Sequence, residues 1–327
     1  MRTRIALTAL VLGAALPACG GDDTPAANGG APANAGERPL VVVTTTQLGD
    51  IVGQVAGARA QIHQLLQANS DPHEYEPRPA DVQATAGAKL VVESGNELDH
   101  WMGEIVKEAG GSPVEVAIAP DHTPYKVAGE PKAGEAHAAS KFDPHWWHDP
   151  RNVESAVGTI RDELSKVAPG NAETYKANAD AYLAKVKTLD AGIEACMQQV
   201  PAGERKLVTS HDAFNYFTKR YGITVVGAVI PSQSTQAQPS AGEIAKLAAV
   251  VRREQVKAVF PESSINPDLA KTLARETGAK ADYVLYGDTL GLEGSPGETY
   301  LKMEAANADA MVKGFTGDQQ GCAISGL

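Results

Sequence analysis

NAETYKANADAYLAKVKTLDAGIEACMQQ, residues 171–199, decides the architecture. Tyr175, Ala179, Tyr182, Val186, Leu189, Ile193 and Cys196 step by 4, 3, 4, 3, 4 and 3, so they share one face of a helix. Pro169-Gly170 precedes the stretch, and Pro201 with Gly203 follows it. At about 1.5 Å per residue the helix reaches roughly 40 Å, the scale of a domain diameter. A helix of that length either packs along one domain or joins two. Strand–helix alternation resumes directly behind it, which favours a spine between two lobes.

Upstream, Leu40-Val43, Gln61-Leu66, Lys89-Glu93 and Val114-Ala117 read as strands. Gly49-Ala56, Ala80-Gly87 and Asn96-Gly110 read as the helices between them. Downstream, the strands are Lys206-Thr209, Thr224-Val229, Val256-Phe260 and Ala281-Tyr286. Ala213-Tyr221, Ser240-Arg253, Pro267-Thr277 and Glu298-Gly314 are the accompanying helices. Such alternation implies βαβ units. The expected fold is therefore α/β: two lobes, each a mostly parallel four-stranded sheet flanked by helices, joined by one long linking helix.

The chain's beginning speaks of export. Arg2 and Arg4 precede an apolar run, Ile5-Leu16, too short to span a bilayer. Leu16-Pro17-Ala18-Cys19 then resembles a bacterial lipobox, with Pro17 unusual in its place, so Cys19 is the expected lipidation site. Gly20-Pro39 holds no large apolar residue and reads as a flexible tether. The organisation expected is a signal peptide at 1–18, a lipidated tether at 19–38, an N-terminal lobe at 39–168, the linking helix at 169–200 and a C-terminal lobe at 201–327. The formal charge is −11, and −13 once the two signal arginines leave. With no basic tract, nucleic acid is an unsuitable partner. Besides Cys19 only Cys196 and Cys322 remain, and in an oxidising compartment they suggest one disulfide.

Eight histidines are candidates for chemistry: 63, 73, 100, 122, 137, 145, 148 and 211. His73, His145 and His211 fall in loops just past strands, as does Asp288 in Tyr286-Gly287-Asp288-Thr289. Prolines 72, 77, 144 and 150 bracket the first two and fix their loop backbones. The wide spacing matches no compact zinc-finger pattern, so any metal must lie between lobes.

Five ordered stretches carry a family resemblance: DPHEYEPRPADV at 71–82, DPHWWHDPRNV at 143–153, LVTSHDAFNYF at 207–217, STQAQPSAGEI at 234–244, and the pair PESSINP at 261–267 with LYGDTLG at 285–291. They resemble the zinc- and manganese-specific solute-binding proteins of ABC importers, the ZnuA/TroA-like family. The resemblance implies a metal held by His73, His145, His211 and Asp288. It also implies a permease and its ATPase as partners, delivery from the outer face of the membrane, and a monomer. His148 stands where the family usually has an apolar residue and reads as a loop or surface side chain. Glu74, Glu76 and Glu262 are candidates to orient imidazoles, or are simply solvated. Asp121-Lys141 sits where many relatives carry a histidine-rich loop, and keeps only His122 and His137. His63 and His100 have no metal argument.

Three imidazoles and one carboxylate suit Zn²⁺, whereas a more oxygen-rich set favours Mn²⁺. Zinc is thus expected ahead of manganese. A zinc hydrolase would need an open coordination position and a general base, and no HExxH or nucleophile elbow is present. A surface adhesin is the other alternative.

Overall fold

The computed structural model describes residues 37–129 and 141–327. The expected signal peptide, nearly all of the tether, Cys19 and His137 lie outside them.

The first sheet has the order β2-β1-β3-β4, all parallel, from β1 (Leu40–Val43), β2 (Gln61–Gln64), β3 (Leu90–Gly95) and β4 (Val114–Ala119). Val41-Val43 and Leu90-Val92 are fully buried, as expected of central parallel strands covered on both faces. α1 (Thr46–Ala56), α2 (Pro79–Thr85) and α3 (Met102–Ala109) connect them. α3 begins six residues later than the pattern suggested. Asp99 causes this, accepting hydrogen bonds from the amides of Ser94 (2.6 Å) and Gly95 (3.0 Å). Those contacts hold Asn96 and Glu97 in left-handed turn conformations.

α4 (Pro150–Val167) was not anticipated. It had a readable start: Asp149 caps it and Pro150 opens its first turn. Val153, Ala156, Val157, Ile160 and Leu164 form its buried stripe. α5 (Ala172–Gln198) follows, and every residue of its predicted apolar face is at most 8% exposed. That face belongs to one continuous core reaching both sheets. Truncating a central member such as Leu189 to Ala would cost about 2–5 kcal/mol.

The second sheet differs from expectation in regularity. β5 (Lys206–His211) and β6 (Thr224–Ile230) form a parallel ladder, joined by α6 (Asn215–Tyr221). The two further strands survive only as parallel bridges, Thr209↔Phe260, Ala258↔Lys280 and Glu262↔Leu285. Pro261 lacks the amide that would continue the ladder. The order β6, β5, 258–262, 280–285 is nevertheless that of a four-membered parallel sheet. α7 (Ala241–Arg253) and α8 (Asp268–Thr277) flank it, and α9 (Tyr300–Thr316) packs against α5.

Cys196 and Cys322 form a disulfide, with Cα atoms 5.5 Å apart. Behind it, Ile324 lies so close to Gly192 of α5 that a Cβ there would sit 2.7 Å from its side chain. The segment after α9 is thus fastened to the long helix by a covalent bond and by packing.

Candidate metal centre

Each of the four predicted side chains is presented by a loop or strand end whose own backbone is tied down. In the turn Pro72–Glu74, Asp71 accepts a hydrogen bond from the His73 amide (2.9 Å), and the His73 carbonyl accepts one from Gln236 Nε2. Asp143 Oδ1 accepts from both the amide (2.9 Å) and, at 2.8 Å, Nδ1 of His145. Asp143 Oδ2 in turn accepts from Asn215 (3.0 Å) and Gln233 (3.2 Å). His211 ends β5, where strand carboxyl ends form ligand sites, and its amide donates to Glu262 Oε1 (2.8 Å). The Asp288 carbonyl accepts from Gln47 Nε2 (2.8 Å) at the start of α1.

These loops bring His73, His145, His211 and Asp288 together, with one nitrogen or oxygen from each within 4.8 Å of all the others. Nε2 of His73 and of His145 are 3.3 Å apart. Asp288 Oδ1 is 3.2 Å from His145 Nε2 and 3.9 Å from His73 Nε2, and its Oδ2 is 3.4 Å from His211 Nε2. A tetrahedron with bonds of about 2.0–2.1 Å has edges of about 3.3–3.4 Å, so the spacing fits one small cation. Both Asp288 oxygens and His211 Nε2 are buried without a well-formed hydrogen bond. Buried polar atoms normally have partners, and here a shared cation would supply one.

The electrostatics agree. Burial pushes the His145 imidazole down, but the carboxylates of Asp143 and Asp288 overcome this and hold it up to about 9. Burial also opposes the charge on His211, yet Asp288 and Glu262 raise its pKa well above the usual value. Burial would raise Asp288, but His211, His145 and His73 hold it well below the usual carboxylate range. Asp71 is pushed up to about 6, by burial first and then by the Asp288 charge. Without a metal, protons on the imidazoles balance the buried carboxylate.

The other candidates separate cleanly. Glu262 is the partner of His211, 2.8 Å from its Nδ1, while Glu74 and Glu76 are exposed. Trp146 and Trp147 are packing residues, donating to Ser94 Oγ (2.9 Å) and the Gly287 carbonyl (3.0 Å). His148 is not a surface side chain. It is fully buried, stacked on Phe214, with Nδ1 2.7 Å from Glu304 Oε1. It is also outside the four-residue cluster. Neither Asp143 nor Glu304 was singled out from the sequence. Asp143 had a signal, since an aspartate two residues before a histidine can bond its amide. Glu304 had none, lying 156 positions from its partner.

Two parallel sheets, one long helix and a closed His₃Asp cluster define the binding proteins of metal-uptake systems, not enzymes. The chain belongs to the ZnuA family, zinc-uptake complex component A, periplasmic, whose profile matches residues 41–314. It is 31% identical over 299 residues to the manganese-binding lipoprotein MntA of Halalkalibacterium halodurans, covering 91% of this chain and 93% of that one. The iron-binding protein YfeA of Yersinia pestis is 32% identical over 284 residues, covering 87% and 88%. The periplasmic zinc-binding protein TroA from Treponema pallidum superposes with a TM-score of 0.77 at 30% identity, over 85% of this chain and 99% of its own.

Proposed function

We propose that the chain captures a transition-metal ion, Zn²⁺ ahead of Mn²⁺, and delivers it to the permease of an ATP-driven importer. His73, His145, His211 and Asp288 are the ligands. The observation carrying this reading is the convergence of His73, His145, His211 and Asp288, one donor atom from each within 4.8 Å of all the others. Three nitrogens and one carboxylate favour zinc, and raw affinity also ranks it above manganese. The carboxylate offers two oxygens, so a five-coordinate arrangement is the specific feature that keeps manganese as the second reading. In this reading 39–168 and 201–327 are the lobes, and 169–200 is the rigid link. Cys19 carries the lipid that keeps the monomer at the outer face of the membrane, beside the permease. Relatives whose names record metal transport lipoproteins support this placement.

Metal analysis of protein purified without added metal, with competitive zinc and manganese titrations, tests it. Zinc should bind more tightly by an order of magnitude or more. Binding of neither ion would sink the proposal, and a manganese preference would move it to the second reading.

A further inference from the structure

The buried face of α9 is apolar at Leu301, Met303, Ala308, Met311, Val312 and Phe315, but three polar side chains interrupt it. Tyr300, Glu304 and Asn307 step by 4 and 3, lie on one face, and are fully buried. Each reaches a loop that carries a proposed ligand. Tyr300 Oη donates to the Trp147 carbonyl at 2.9 Å, two residues past His145. Glu304 Oε1 meets His148 Nδ1 at 2.7 Å, on the same loop. Asn307 clamps Tyr286, two residues before Asp288. Its Oδ1 accepts from the Tyr286 amide (2.8 Å) and its Nδ2 donates to the Tyr286 carbonyl (2.9 Å). The two loops also meet directly, through Trp147 Nε1 and the Gly287 carbonyl. These polar side chains are not a cheap way to fill a core. His148 Nε2 and Glu304 Oε2 are buried with no hydrogen-bond partner, and apolar residues of similar size often replace such buried polar pairs without loss of stability.

We propose that α9 is the positioning element of the metal centre: Glu304 through His148, and Asn307 through Tyr286, fix the separation of His145 and Asp288 and so tune which transition metal fits. Both are positioning residues, since neither touches the ion. The inference rests on the transport reading above, and deepens it by naming what sets the geometry.

The test compares the whole chain with Asn307→Leu, with Asn307→Asp and with the double variant His148→Leu/Glu304→Leu. Zinc and manganese titrations are paired with visible spectra of Co²⁺, whose bands report coordination number and distortion. Asn307→Leu and the double variant should each lose about tenfold or more in zinc affinity, as outer partners of a metal site commonly do. They should also change the zinc-to-manganese ratio and shift the cobalt bands, while the metal-free double variant melts no lower than the parent. Asn307→Asp keeps the acceptor for the Tyr286 amide and loses the donor to its carbonyl. It should fall between, and gives the reading at this position if the leucine variant does not fold. Parent-like affinities and cobalt spectra in the folded variants would overturn the proposal. A parent chain that binds neither zinc nor cobalt would instead sink the transport reading, so the two failures are distinguishable.

Discussion

At the scale of single residues, Asp288 is the hub, facing His145 with one oxygen and His211 with the other. Replacing it or His211 by Ala removes a proposed ligand. The zinc affinity should then fall by more than the about 10–100-fold typical of losing an outer partner. Competitive titration measures this, and two variants within twofold of the parent would show the assignment to be wrong. Protons compete for the same nitrogens. His145 is raised above its ordinary value, so below a pH of about 9 the metal-free imidazole stays charged, and metal binding must expel that proton. Affinity should therefore climb with pH up to about 9, a wider window than the unperturbed imidazole range near 6–7 implies. Titrations at pH 5.5 and 7.5 that returned equal affinities would exclude histidine ligands. Gly287 gives a steric counterpart. A Cβ there would come within 2.4 Å of Glu262 Oε2. Gly287→Ala should therefore displace the carboxylate from His211 and weaken zinc binding about tenfold, read in the same titration.

Secondary-structure elements show how far sequence reasoning carries. The apolar stripe of α5 was legible because seven residues repeat the 4,3 spacing over about six turns, and all are buried. α4 was not anticipated, although its own stripe is equally regular, because the Asp-Pro-His-Trp stretch before it drew attention as a loop. Val256-Phe260 and Ala281-Tyr286 have strand-like composition, yet Pro261 and the exposure of Val284 reduce them to isolated bridges. The convergence of His73, His145, His211 and Asp288 was readable by resemblance and not by spacing, since 72 positions separate His73 from His145. The disulfide was expected from compartment and count. It closes a loop of 126 residues, so removing it with Cys322→Ser should lower stability by about 2–4 kcal/mol in denaturant melts, with metal affinity retained. Two titratable thiols besides Cys19 in the unreduced, unfolded exported chain would contradict the pairing.

For the molecule as a whole, hydrogen bonds already join the loops of the first sheet to those of the second. Gln47 Nε2 donates to the Asp288 carbonyl (2.8 Å), the Leu290 amide to Thr46 Oγ1 (2.8 Å) and the Asn69 amide to Thr289 Oγ1 (2.9 Å). Two of these are fully buried, and α5 packs against α1 and α4 on one side of the chain and α9 and α6 on the other. Metal loading should therefore change the radius of gyration, about 19 Å for a chain of this size, by less than about 1 Å. Small-angle scattering of the two forms decides this, and a contraction of several Å would establish a jaw-like closure. Release would then come from displacing a loop, His73 being the least enclosed of the four residues.

The proposed ligands are drawn from positions 73 to 288, and this has a consequence for biogenesis. A ribosome must finish most of the chain before the fourth proposed donor exists, and if the chain is then exported unfolded, as the proposed function allows, it carries no assembled cradle during that passage. Cytosolic zinc therefore finds only scattered, solvated imidazoles on the nascent protein. Under the proposed function, such a carrier would be made empty and would acquire its first cargo on the side of the membrane from which it collects.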